Sequence, residues 1–85
     1  MAKSAESRET DKRIGTLLAQ LRAERGLRQL ELARLLRTSQ SMVSKVEAGD
    51  RSLRVRELPA YAAALEIDPQ ELAAIVLQAS LGEEA

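Results

Sequence analysis

Gln40, Ser41, Ser44 and Lys45 carry hydrogen-bonding groups at a spacing that gathers them on one face of a helix. The Gln40 amide can pair twice with an adenine edge, and the Lys45 ammonium can donate to guanine O6 and N7. The two serine hydroxyls can serve base edges or phosphate oxygens. On an ordinary surface helix such residues are merely solvated, so their setting decides their meaning.

Other chemistry is restricted by composition. The chain has no Cys and no His, which removes thiolate nucleophiles, disulfides, histidine bases and the commonest transition-metal ligands. Catalysis would need a carboxylate pair or an activated lysine, and the acids are scattered with no apolar pocket-forming cluster around them. An enzyme is therefore not expected, and neither is a metal or other cofactor. The opening MAKSAESRETDKR is polar and mixed in charge, with no apolar run long enough for a signal peptide or a membrane span. These features suit a reducing cytoplasm.

The elements that must position the four side chains follow from periodicity. Ile14, Leu17, Leu18 and Leu21 mark a first helix ending at Gly26. Leu32, Ala33, Leu35 and Leu36 give a second helix its apolar stripe. A third begins at Ser39, an N-cap residue, and turns Val43 and Val46 inward. Between the second and third there is room only for a tight turn. Gly49, Asp50 and Arg51 then open a polar turn, and a fourth helix covers roughly Arg56 to Leu65 with Tyr61, Ala62 and Leu65 inward, Pro59 falling in its first turn. Asp68-Pro69-Gln70-Glu71 is a strong start for a fifth helix, which runs to about Leu81. With Tyr61 the only aromatic, the core must be aliphatic, which suits close-packed helices and predicts no strands. The expected architecture is all-α: a compact five-helix domain over residues 12–81, between a mobile tail at 1–11 and a short one at 82–85.

The stretch from Arg25 to Gly49, with RGL, Q, ELA, LL, SQS, VSK, E and G at set spacing, resembles the lambda-repressor and Cro-like helix-turn-helix family of bacterial and phage transcriptional regulators. The similarity extends from about Lys12 to Val76. It implies double-stranded DNA as partner, with Gln40, Ser41 and Lys45 at base-reading positions and Gln29 anchoring a phosphate from the start of the second helix. Ser44 joins the readers by its place on the same face. Arg28 and Ser39 at the two helix starts, and Arg51 and Arg54 past Gly49, are candidates for the DNA backbone. Met42 can touch a thymine methyl or simply pack. The resemblance also implies an ion pair between Arg22 and Glu47, which would neutralise a carboxylate that otherwise repels phosphate.

Two departures from the family pattern concern local stability. Arg37 stands where a turn glycine is usual, and Arg28 stands where a Ser or Thr cap is usual, which leaves a helix start without a side-chain acceptor. The family also contains antitoxins, so an antitoxin or protein-binding adaptor of the same fold, with a cognate toxin as partner, is the alternative to a regulator.

Charge distribution supports a nucleic-acid face despite a formal net charge of zero. From residue 12 to 56, eleven basic residues stand against four acidic ones; from 57 to 85 there are six acids and no base. A basic half could face phosphate while an acidic half is kept away. Finally, LAAIVLQASL, residues 72 to 81, is apolar around most of its circumference. Leu72 and Val76 can pack on the core, but Ile75, Leu77, Ala79 and Leu81 have no further chain to cover them, and a homodimer is the expected remedy. With no second domain, no small-molecule ligand is expected.

Overall fold

The computed structural model describes residues 4–82, and they form five α-helices: α1 (Ala5–Glu24), α2 (Gln29–Leu36), α3 (Gln40–Ala48), α4 (Leu58–Leu65) and α5 (Pro69–Ser80). A single 3₁₀ turn, Val55–Glu57, leads into α4. Packing runs α1 against α3 and α5, α2 against α3 and α4, and α4 against α5. Every helix sends at least two side chains to one aliphatic centre. Leu18, Leu32, Val43, Ala62, Leu65 and Leu72 are fully excluded from solvent there, with Tyr61 at its edge.

The inward residues are mostly those the periodicity picks out, with one exception. Leu35 was expected in the α2 stripe but is 57% exposed. In an eight-residue helix wedged between α3 and α4, the buried line runs through Leu32 and Ala33 with Leu36 half-covered, and Leu35 falls outside it.

The first helix also starts earlier than the aperiodic, polar opening suggests. The Ser4 hydroxyl accepts from the Ser7 amide (3.1 Å), and α1 runs from Ala5 through the stretch expected to be a tail. A long-range contact holds this extension. Asp11 is buried and accepts from the Ser52 hydroxyl at 2.7 Å, 41 residues away. Periodicity is blind to such a helix, because its first turns bury little apolar surface. Residues 1–3 and 83–85, which fall in the two expected tails, lie outside the described residues. The start of α4 shifts in the other direction: Arg56 sits in the 3₁₀ turn, and Leu58 and Pro59 open the helix.

Four helix ends share one hydrogen-bonding pattern. The amides of Leu27, Thr38, Asp50 and Ile67 each reach back five residues, to the carbonyls of Arg22, Ala33, Lys45 and Ala62. The residue before each amide must be left-handed. Gly26 and Gly49 fill two of these positions, but Arg37 (φ 58°) and Glu66 (φ 56°) fill the others, each at a cost of about 1 kcal/mol. At α5, Asp68 accepts from the amides of Gln70 and Glu71, as the sequence predicts. At α2, Arg28 offers no side-chain acceptor; instead its own amide donates to Glu31 Oε1 at 2.8 Å.

Tyr61 yields a prediction at high pH. Its phenol is pushed up to about 12, first by burial and then by the nearby charges of Glu47 and Glu57. A raised folded pKa means that the contribution to stability is whole below the unfolded phenol value near 10 and is lost as pH rises through the folded value. As the sole aromatic chromophore, Tyr61 should titrate by ultraviolet absorbance well above a free tyrosine, with denaturant stability declining over the same interval. Titration at the free-tyrosine value with the fold intact would contradict this.

Candidate nucleic-acid interface

The helix pair α2–α3 rests on one buried carboxylate. Glu47, near the end of α3, has a side chain only 5% exposed. It receives Arg22 Nε at Oε2 (2.7 Å) and Arg22 Nη2 at Oε1 (3.0 Å), a two-pronged pairing across α1 and α3. Gln29 Nε2, from the first residue of α2, donates to the same Oε1 at 2.9 Å. Arg22 Nη1 donates to the Leu27 carbonyl at 2.7 Å, tying in the α1–α2 connection. The hydrogen bonds that Arg22 donates to Glu47 outweigh desolvation and hold the Arg22 pKa above its ordinary value. Three helices are thereby fixed to one another at a site where the negative charge is fully answered.

With its inner face so held, α3 presents its outer face. Ser39 caps the helix, its hydroxyl accepting from the Met42 amide at 3.1 Å. Val43 and Val46 are buried, while Gln40, Ser41, Ser44 and Lys45 are all exposed along the opposite side. None of the first-turn residues is acidic, so the positive end of the helix dipole is unopposed there. Met42 is half-buried beside Val43, which places it on the packing side.

The backbone candidates divide. Arg54 and Ser39 are exposed, as is Arg28, whose Nε meets Glu31 at 3.3 Å. Gln29 is half-buried and engaged with Glu47. Arg51 is folded inward: its two terminal nitrogens donate to the two Glu57 oxygens at 3.0 and 2.9 Å, and Nη1 also reaches the Ser52 carbonyl. This pairing, chiefly by hydrogen bonding, raises the Arg51 pKa and lowers that of Glu57. Arg51 thus braces the loop after α3. A single sequence hint to its partner exists, since Glu57 lies three residues after Arg54 at a helical start and accepts the Arg54 amide at 2.7 Å. Among the described residues Arg37, Lys45, Arg54 and Arg56 form no ion pair. Glu47 and Glu57 are engaged by Arg22 and Arg51, whereas Lys12 on α1 and Arg34 on α2 are further cations outside any ion pair among the described residues.

Three residues essential to this arrangement carry no functional side chain that sequence reasoning would select. Gly15, in the middle of α1, lets the carbonyls of Val46 and Glu47 approach so closely that an added Cβ would lie 2.3 and 2.5 Å from them. Gly49 is left-handed (φ 80°), and its α-carbon faces the Lys12 backbone where a Cβ would come within 2.7 Å. Asp11, through Ser52, anchors the loop that carries Arg51 and Arg54.

A short second helix, capped and displayed across a tight turn from the first, defines the helix-turn-helix class. The chain belongs to the lambda-repressor and Cro-like helix-turn-helix family, whose model matches residues 18–72, and it is a DNA-binding regulator. No curated protein matches. Among solved structures, the chain is similar to the restriction-modification controller protein C.AhdI from Aeromonas hydrophila, at 37% identity over 73% of this chain and 94% of that one, with a TM-score of 0.67. It is also similar to the clp gene regulator ClgR from Corynebacterium glutamicum, at 28% identity over 89% and 94% of the two chains and a TM-score of 0.72. A point mutant of the controller protein C.Esp1396I shares the fold over 98% of this chain, with a TM-score of 0.74 at 18% identity. Among the described residues no helix is long and apolar enough to cross a membrane.

Proposed function

We propose that the protein is a homodimeric, sequence-specific regulator of transcription, a repressor or autoregulator that reads a pseudo-palindromic operator by placing α3 in the major groove. The observation that carries this reading is the outer face of α3: four exposed hydrogen-bonding side chains on a helix whose only carboxylate is turned inward onto Arg22. Gln40, Ser41, Ser44 and Lys45 read base edges, and Arg28, Ser39 and Arg54 hold the backbone. Arg51 acts at one remove, by shaping the loop that presents Arg54. The names of C.AhdI and ClgR, a controller and a gene regulator, agree with the reading.

Selection of bound fragments from random DNA tests it. Two α3 helices of a dimer would be presented about one DNA turn apart, roughly 34 Å, so the half-site centres should lie about 10 base pairs apart. Gln40→Ala should cost about 1 to 3 kcal/mol on the selected site and relax base choice at one position per half-site. Arg54→Ala should weaken selected and scrambled DNA alike and reduce the salt dependence by about one phosphate contact per subunit. Equal loss on both DNAs for Gln40→Ala would remove α3 as the reader and favour a protein-binding adaptor.

The dimer surface we assign to α5 is narrower than its apolar sequence implies. Leu77 and Leu81, one helical turn apart, are 60% and 63% exposed. Ile75 is half-buried, and Ala79 packs on the core. Arg13 fixes this end of the helix by donating to the carbonyls of Ala79 (3.0 Å) and Ser80 (3.1 Å). Leu77→Glu with Leu81→Glu should convert a dimer to a monomer in sedimentation equilibrium without unfolding the domain, because both side chains lie outside the core. A wild-type monomer at high micromolar concentration would refute the assignment.

A further inference from the structure

Behind α3, on the side away from Gln40 and Lys45, the structure holds a cavity of about 270 Å³. Leu36, Val43, Val46 and Ala60 supply apolar wall from α2, α3 and α4. At roughly 30 Å³ per water, the space equals about nine waters, enough for a small organic molecule.

Two polar groups give this space chemical direction. Tyr61 lines it and is 4% exposed, yet its hydroxyl has no hydrogen-bond partner among the described residues. No sealed side-chain nitrogen or oxygen is left unpaired among those residues, so the phenolic oxygen is not completely sealed from solvent. The second group is Arg56, on the exposed rim, which forms no ion pair among the described residues. The other charged residues at the wall, Arg51 and Glu57, neutralise each other through their double hydrogen bond. An apolar chamber with one net positive charge at its mouth and a hydroxyl donor in its wall complements a single negative charge on an apolar body.

We infer that this cavity is a binding site for a small apolar carboxylate, whose hydrocarbon part fills the space between α3 and α4 while its oxygens meet Arg56 and the Tyr61 hydroxyl. The hydroxyl remains a donor throughout the neutral range, since burial holds its proton. Such a ligand lies against the inner side of α3, whose outer side we propose for DNA, through Met42 with Val46 at the margin. The site is independent of the operator reading.

Titration of the full chain with isocaproate, followed by backbone amide chemical shifts, tests the inference. Saturable shifts are expected at Leu36, Val43, Ala60 and Tyr61, with millimolar or tighter affinity. Isohexanol, with a similar branched body and no charge, and acetate, with the charge and little body, should both bind at least about tenfold more weakly. Loss of a charge-assisted contact in Arg56→Gln, or of the donor in Tyr61→Phe, should each weaken isocaproate by about tenfold. Ala60→Phe should fill the chamber and abolish binding. Arg56 is exposed, so Arg56→Gln gives a readable result even if a core change perturbs folding. Absence of saturable shifts at tens of millimolar, equal affinity for isohexanol, or unchanged affinity in both Arg56→Gln and Tyr61→Phe would overturn the assignment.

Discussion

Gly15→Ala should destabilise the domain severely, although the same change in the interior of an exposed helix stabilises by about 1 kcal/mol. The added methyl would meet the Val46 and Glu47 carbonyl oxygens at 2.3 and 2.5 Å. These are backbone atoms of α3, which cannot rotate aside, so α1 and α3 must separate. Overpacking of this kind costs about 1 to 3 kcal/mol and more where the neighbour is rigid; we expect a loss at the upper end or beyond it. In a domain of this size that lowers the melting temperature by more than about 10 °C. Gly26→Ala provides the comparison: Gly26 is left-handed (φ 71°) with nothing within 4 Å of an added Cβ, so only the conformational cost of about 1 kcal/mol applies. Thermal unfolding of the two variants separates contact from conformation. A Gly15→Ala protein as stable as the parent would mean that the helices do not cross this closely.

Glu47→Ala should be the second large effect, at about 3 kcal/mol, because it strands the Arg22 guanidinium beneath α3 without its partner. The loss has two parts. Arg22 forfeits two hydrogen bonds to the carboxylate, and Gln29 forfeits one, so the α2 start loosens as well. Arg22→Ala should cost less, since the remaining carboxylate keeps the Gln29 donor, and the double variant should cost less than the two singles combined. Urea unfolding of the four proteins in a mutant cycle would measure that coupling, which additive losses would exclude. Both side chains being largely covered, the coupling should persist at high salt, unlike that of an exposed pair. Glu47→Ala should also weaken DNA binding beyond its effect on stability, because it frees the angle of α3 relative to α1.

Sequence determined a good deal of this protein, and for identifiable reasons. Apolar spacing placed Leu18, Leu32, Val43, Leu65 and Leu72 in one core, since helical periodicity reports directly which side chains share a face. Ser39, Asp68 and Pro69 fixed two helix starts through local hydrogen bonding and a preset φ, which need no tertiary context. The family resemblance singled out Gln40, Ser41 and Lys45, helical spacing added Ser44, and α3 carries all four on its exposed side. What tertiary structure decided are contacts between residues far apart in the chain. Asp11 and Ser52 turn a polar opening into two turns of helix; Glu57 captures Arg51, a candidate for phosphate. Leu35 is exposed and Ala79 is half-buried against the core, each departing from what its spacing suggests, because a helix face is apolar or not before it is known which neighbour lies against it. Gly15 and the cavity beside Tyr61 are opposite outcomes of the same cause. Where a missing side chain meets backbone, two helices close together; where α3 and α4 face each other across Met42, Ala60 and Tyr61, space is left. Neither distance is encoded in any single residue, and both are set only when the helices pack.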